Sequence, residues 1–247
     1  MKNKIDFVKE ILRSMGQSCE WKIRENFFYL GAAAGAFIVV IILLIFKNSG
    51  GIAFALLLVS GYIFYWLLEQ IKPFFLGLEG VKRTREEIEP ITKDGYHIFN
   101  DVQGNKFNID FLIIGPSGIY VIVVKNPATD GSQEIYYQDE TIFLGSGPLT
   151  APNPILEAKS RALWVKQYLQ DVKGADANNI KPVVLFPKIT IPRDEDCVLK
   201  DIWILNPARF RDCYLPKQEK VLNPQEVQEL VSIFKAHING SIPKFED

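Results

Sequence analysis

Two long stretches near the N-terminus contain no charged residue, and they constrain the fold more than any other feature of the sequence. Residues 27–46 and 48–68 are mostly apolar, and each is about twenty residues long. At about 1.5 Å of rise per residue, a helix of that length crosses a bilayer core of roughly 30 Å. We therefore predict two transmembrane helices, at 27–46 and about 50–68, joined as a hairpin.

Two other interpretations of these stretches are open. A signal peptide would have an apolar region of about 7–15 residues and a small-residue cleavage site, whereas here a second apolar stretch follows directly. A pair of helices buried in a water-soluble protein would need a large body to cover two helices that are apolar on all sides. The predicted membrane hairpin needs neither a cleavage site nor such a body.

Basic residues flank the predicted hairpin on its outer sides. Six Lys and Arg precede the first stretch and four follow the second by residue 85, whereas the connecting loop holds only Lys47. Because positively charged flanks stay in the cytoplasm, we predict an integral membrane protein with two spans, with both termini and the main domain cytoplasmic, and with the lipid bilayer as a partner. The predicted organisation is a cytoplasmic amphipathic segment at 1–26, the hairpin at 27–68, a juxtamembrane linker at 69–76 and a cytosolic domain at 77–247.

The cytosolic domain alternates between strand and helix patterns. Apolar runs bounded by turn residues predict strands at 97–103, 107–114, 118–125, 181–186 and 198–205, and a less regular one at 133–143. Helices are predicted at 78–89 and after Asn153-Pro154, Asn206-Pro207 and Asn223-Pro224, where Asn caps and Pro opens a helix. This order predicts an α/β domain with one mixed sheet that is covered by helices on both faces.

The charge of the predicted cytosolic domain argues against a polyanionic partner. Residues 77–247 contain 20 Lys and Arg against 24 Asp and Glu, so the bulk positive charge of a nonspecific DNA binder is absent from this sequence. Nucleic acid is therefore not supported by charge, and we predict a protein partner of unknown identity. The three cysteines have no metal-ligand spacing, which is typical of structural thiols in a reducing compartment.

Polar residues interrupt two of the apolar strands. Asp110 lies within Phe-Asn-Ile-Asp-Phe-Leu-Ile-Ile, and Lys125 ends the next strand. A carboxylate at such a position is costly unless it is paired, hydrogen-bonded or bound to a metal. We expect Lys125 to be the partner of Asp110.

Several stretches of the sequence match a known pattern in content and order. They are Gly-Leu-Glu-Gly at 77–80, residues 96–102, residues 108–122 from Asn-Ile-Asp through Gly-Pro-Ser-Gly, Lys125-Asn126, and Asn153-Pro154. With these residues, the region of about 77–187 resembles the nuclease-related (NERD) domain, a branch of the PD-(D/E)xK nuclease superfamily. The resemblance implies a mixed-sheet PD-(D/E)xK nuclease-like fold.

The resemblance also implies a mechanism. In the family pattern, the strand aspartate and a glutamate two residues before the lysine bind Mg²⁺ or Mn²⁺, and the lysine positions or activates the attacking water. On this pattern Asp110 is a metal ligand, and Asp110 and Lys125 are catalytic residues. Residues two apart on a strand share a face, so such a glutamate and lysine would both point toward the neighbouring aspartate.

This chain departs from the family pattern at its functional positions. Val123 stands two residues before Lys125, Val81 stands where the helix glutamate is expected, and Glu157 replaces a glutamine. We predict a remnant site of Asp110 and Lys125 in a degenerate, membrane-anchored binding or scaffolding module that uses no cofactor. The alternative is an active nuclease that uses Mg²⁺ or Mn²⁺ to cleave DNA or RNA near the membrane, its site completed by Glu134, Asp139, Glu140 or Glu157.

Overall fold

The structure is a computed structural model, and it describes most of the chain after residue 49. It describes residues 50–105, 107–128, 134–138, 141–145, 147–149, 153–173, 179–189, 191 and 201–240, with seven isolated positions between Tyr29 and Ile41. Its internal contacts divide the chain into two compact units, Met1–Leu76 and Gly77–Asp247.

The elements follow one another as helix, strands, helix, strands and helix. The helices are α1 (Gly50–Ile88), α2 (Pro154–Lys173) and α3 (Pro224–Ile238), with a 3-10 turn at Glu89–Asp94 and short helical turns from Pro207 to Lys217. The strands are β1 (His97–Gln103), β2 (Asn108–Gly115), β3 (Gly118–Val124), β4 (Ile135–Gln138), β5 (Thr141–Leu144), β6 (Gly147–Pro148), β7 (Ile180–Leu185) and β8 (Trp203–Leu205).

Five of the strands form one mixed sheet in the order β1-β2-β3-β7-β8. The first three are antiparallel neighbours, whereas β7 runs parallel to β3, and β8 parallel to β7. The parallel steps require crossovers, and the first of them contains α2. The prediction of an α/β domain with a mixed sheet is confirmed.

The sequence patterns locate four of the main strands to within a residue or two. The strand predicted at 133–143 is wrong as a single strand, because this region contains the antiparallel pair β4 and β5. These two strands join β6 in a separate three-stranded sheet. Of the strand predicted at 198–205, Trp203–Leu205 is observed as β8, whereas residues 192–200 lie outside the described part of the chain.

Helices cover both faces of the main sheet. On one face, α2 and α3 pack against alternate residues of β2 and β3 such as Leu112 and Val121. On the other face, Phe111 and Ile122 pack with Ile88 from the last turn of α1 and with Phe210 from the turns after β8. The alternation of side chains along each strand therefore supplies two apolar surfaces, as the near-continuous apolar runs of β2 and β3 require.

The predicted membrane hairpin is corrected by the structure. Among the residues that the structure describes, no helix is both long enough and apolar enough to cross a bilayer. The prediction of an integral membrane protein with two spans and cytoplasmic termini is therefore wrong. The second predicted span is not a separate helix that ends at residue 68. It is the first part of α1, which continues through Glu69, Lys72 and Pro73 to Ile88.

The charge-free run at 48–68 is thus shorter than the helix that contains it, which extends to Ile88. Beyond Leu68 the same helix carries a Glu69–Lys72 ion pair and then the pairs Arg83–Glu87 and Arg85–Glu89, so its apolar character is not sustained. The first predicted span at 27–46 lies outside the described residues, apart from the isolated positions, and so does the segment at 1–26. The predicted linker at 69–76 is helical, as part of α1.

Candidate functional site

The site is built where β2 and β3 meet the first turns of α2. Asn153 caps α2, because its side-chain oxygen accepts a hydrogen bond from the backbone N–H of Ile155 at 2.9 Å. This cap and Pro154 fix the start of the helix, as predicted. Glu157 and Arg161 then lie one turn apart on the same helix face, where they form an ion pair.

Asp110 faces this helix from β2. Its Oδ2 atom accepts a hydrogen bond from the backbone N–H of Val124 at 2.7 Å, and the same atom lies 3.6 Å from Nη1 of Arg161. The second distance is too long for a hydrogen bond, so the contact with Arg161 is one of charge. Burial raises the pKa of the Asp110 carboxyl, and the charge of Arg161 and the N–H of Val124 oppose that rise.

Lys125 does not form the ion pair that the sequence predicted. Its Nζ atom lies 2.5 Å from Oε2 of Glu157, so the structure pairs Asp110 with Arg161 and Lys125 with Glu157. The reason is that α2 brings both a carboxylate and a guanidinium to the ends of β2 and β3. Each of the four side chains is less than about a third exposed, with Arg161 the most buried at 11%.

Val81 and Val123, which the resemblance places at acidic positions of the family pattern, lie in different apolar clusters. Val123 is fully buried with Ile155 and Ala158 of α2, whereas Val81 packs on the other face of the sheet, against the cluster that contains Ile88 and Phe111. They therefore do not line one shared apolar pocket.

Two of the motifs that carry the resemblance contact each other just beyond the end of β3, where Gly80 of α1 lies against Asn126. A Cβ atom built on Gly80 would lie 2.5 Å from Cβ of Asn126, which is closer than two side chains can approach. This close packing therefore requires a residue without a Cβ atom at position 80.

Of the four carboxylates that the alternative function offered, the structure describes Glu134 and Glu157, and it brings Glu157 to Lys125. Glu134 is exposed just before β4, and Asp139 and Glu140 lie outside the described residues. Within the described ranges, no group of three His, Cys, Asp or Glu side chains could hold a metal ion.

A second carboxylate, Asp101, lies near Asp110 and was not indicated by the sequence patterns. Asp101 lies between the paired positions Asn100–Phe111 and Val102–Ile109 of β1 and β2, and it has a left-handed backbone with φ +50°. Its Oδ1 atom accepts a hydrogen bond from Nδ2 of Asn108 at 2.8 Å. Counting across the Gly104-Asn105 turn would have brought the two aspartates to the same level of the hairpin.

The environment of Asp101 shifts the pKa of its carboxyl group, and this shift makes the stability of the protein depend on pH. Burial raises its pKa from 3.8 to about 6, the Asn108 hydrogen bond opposes that rise, and the charge of Asp110 adds to it. Since the folded state binds this proton more tightly than the unfolded chain, the free energy of unfolding falls as the pH rises from about 4 to 6.

We expect Asp101→Asn to stabilise the protein above pH 6 and to have little effect below pH 4. At pH 7.5 the free energy of unfolding should increase by about 1–2 kcal/mol. This is less than the full pKa shift of Asp101 corresponds to, because the carboxyl is partly solvated. Asn also tolerates the left-handed backbone. Urea unfolding at pH 7.5 and pH 4 measures the difference, with the exposed Asp94→Asn as the matched control. An equal effect of Asp101→Asn at both pH values would contradict this account.

Comparison with known families adds to the geometry. Residues 76–187 match the family model of NERD, the nuclease-related domain. This range contains all the residues of the site described above, and the match supports the predicted nuclease-related domain in this part of the chain. The comparisons with curated proteins and with solved structures found no match.

Proposed function

We propose that the nuclease-related domain of this protein does not hydrolyse phosphodiesters and acts as a binding module for another protein. The observation that carries the proposal is the burial of Val123. This residue stands where the family pattern has a metal-binding glutamate, and its side chain is fully enclosed by apolar neighbours. It offers no oxygen to a metal, and Mg²⁺ and Mn²⁺ require oxygen ligands.

The residues present do not fit the divalent metal that the family pattern implies. Asp110 is one carboxylate, and its Oδ2 atom already faces Val124 N–H and Arg161. Glu157 has one oxygen at Arg161 and the other at Lys125. A metal would have to displace a cation of the protein from Glu157 and would meet the charge of Arg161 at Asp110, and the buried Val123 would give it nothing in exchange.

A protein is a better partner for this domain than a nucleic acid. From residue 77 onward acidic residues outnumber basic ones by four, so the domain has no bulk attraction for a phosphate backbone. The basic side chains of α1 in this region are engaged locally, as in Arg83–Glu87 and Arg85–Glu89. In the proposed function, the domain therefore has the nuclease-related fold but does not act on nucleic acid.

One observation favours the rival function, a metal-dependent nuclease. Asp101 on β1 and Asp110 on the neighbouring β2 are close enough for their charges to interact. Mg²⁺ is often held by one or two carboxylates together with substrate phosphates, so this pair is the place where activity would arise.

A cleavage assay on the full chain separates the two functions. Single- and double-stranded DNA and RNA are incubated with Mg²⁺ or Mn²⁺ and either the parent protein or its Asp110→Asn variant, in which the amide oxygen still accepts from Val124. We expect the same background cleavage from both proteins. Metal-dependent cleavage by the parent that is lost in Asp110→Asn would overturn the proposal, and loss in Asp101→Asn as well would locate the metal between the two aspartates.

A further inference from the structure

Arg161 interacts with two carboxylates of the site. Its guanidinium forms an ion pair with Oε1 of Glu157 through Nη2 and lies 3.6 Å from Oδ2 of Asp110 through Nη1. It therefore lies between a carboxylate of the sheet and a carboxylate of α2. In the pattern that this domain resembles, a divalent cation neutralises the carboxylates at this end of the sheet.

We propose that Arg161 is a built-in cation that takes the place of the metal and closes the remnant site to divalent ions. This inference rests on the proposed function, since it explains why two carboxylates persist in a domain that does not use a metal. Restoring an acid at position 123 would not by itself restore metal binding, because the guanidinium would still stand beside Asp110.

The chemistry of arginine suits this role. A guanidinium stays protonated at every pH at which the protein is folded, and its planar fork of donors matches carboxylates from two directions. Arg161 is about nine-tenths buried, so water cannot screen its charge from an approaching ion. Its position is set by α2, four residues after Glu157 and two turns after the Asn153 cap.

Lys125 completes the charge balance. With Nζ at 2.5 Å from Oε2 of Glu157, it supplies the second positive charge, so Asp110, Glu157, Arg161 and Lys125 have no net charge together. A neutral cluster of this kind holds α2 to the ends of β2 and β3 without an ion from solution. A metal would thus have to compete with two cations that are attached to the chain.

The first test is binding of Mn²⁺ to the full chain, measured by calorimetry or by electron paramagnetic resonance of free Mn²⁺. Four proteins are compared: the parent, Val123→Glu, Arg161→Gln, and the variant with both changes. We expect binding in the double variant at least about tenfold tighter than in either single variant, and none in the parent. Val123→Glu combined with Lys159→Gln is the matched control, since Lys159 is a cation of the same helix that pairs with Asp201.

A second test avoids placing an acid at the buried position 123. Arg161→Glu puts a carboxylate where the guanidinium lies, next to Asp110 and Glu157. We expect Mn²⁺ to raise the melting temperature of this variant and to leave that of Lys159→Glu unchanged. Circular dichroism confirms that each variant is folded before it is compared.

The outcomes distinguish this inference from the proposed function. If Val123→Glu alone binds Mn²⁺ as tightly as the double variant, or if Mn²⁺ does not affect folded Arg161→Glu, Arg161 does not exclude the metal and the inference is overturned. Neither result would show that the parent protein hydrolyses nucleic acid, so the proposed function would still stand. If the parent itself binds Mn²⁺ and cleaves nucleic acid in an Asp110-dependent way, the proposed function fails.

Discussion

Replacing Arg161 with alanine is expected to lower the free energy of unfolding by about 3–5 kcal/mol, because it leaves two largely buried carboxylates with only one cation between them. Asp110 would lose its charge partner, and Glu157 would keep Lys125 alone. The desolvation that already raises the pKa of Asp110 would then be opposed mainly by the Val124 N–H. Urea denaturation of the full chain at pH 7.5 measures the loss.

The matched control is Arg85→Ala, which removes a guanidinium from an exposed pair with Glu89 on α1. That change should cost about 0–1 kcal/mol, as is usual for surface ion pairs. Adding Asp110→Asn to Arg161→Ala should recover part of the loss, because one unpaired charge is then removed. A cost of Arg161→Ala no greater than that of Arg85→Ala would show that the buried charges do not depend on Arg161.

Replacing Gly118 with alanine is expected to cost about 2–4 kcal/mol, because two independent features of the turn between β2 and β3 require glycine. Gly118 has φ +125°, a conformation that side chains with a Cβ atom adopt only with strain of about 1–3 kcal/mol. An added Cβ would also lie 2.7 Å from the backbone oxygen of Asn179. That oxygen accepts the hydrogen bond from Ile119 N–H, at 2.8 Å, that begins the pairing of β3 with β7.

Gly77→Ala provides the control for this prediction. Gly77 lies within α1, and a Cβ at that position has no atom within 4 Å. Alanine there should stabilise the helix by up to about 1 kcal/mol, because glycine is a poor helix former. If Gly118→Ala is tolerated as well as Gly77→Ala, then the turn relaxes and does not hold β3 against β7 as described.

The local patterns of the sequence predicted most of the helices and strands after residue 77. The apolar runs that became β1, β2, β3 and β7 are bounded by turns, and the Asn153-Pro154 and Asn223-Pro224 pairs do begin helices with side-chain caps. These features are local, since a turn or a cap depends on a few neighbouring residues. For the same reason the i,i+4 pair of Glu157 and Arg161 was predictable from spacing alone.

The predictions that failed depended on information beyond a few residues. The apolar run before Glu69 indicated a span of its own, but whether a helix ends there depends on how the chain continues, and α1 continues to Ile88. The strand expected at 133–143 divides because β4 and β5 pair with each other. The partner of Asp110 was predicted from strand order, without the helix that lies across the strand ends.

The sequence by itself determined which residue types stand at the positions that the resemblance singles out: Asp110, Lys125 and Glu157, with valine at 81 and 123. Only the tertiary structure decided what those residues do. It pairs Asp110 with Arg161 and Lys125 with Glu157, places Asp101 beside Asp110, and encloses the two valines in separate apolar clusters. The physical reason is that charge interactions and burial depend on distances between residues far apart in the chain, and these are set when α2 packs on the sheet.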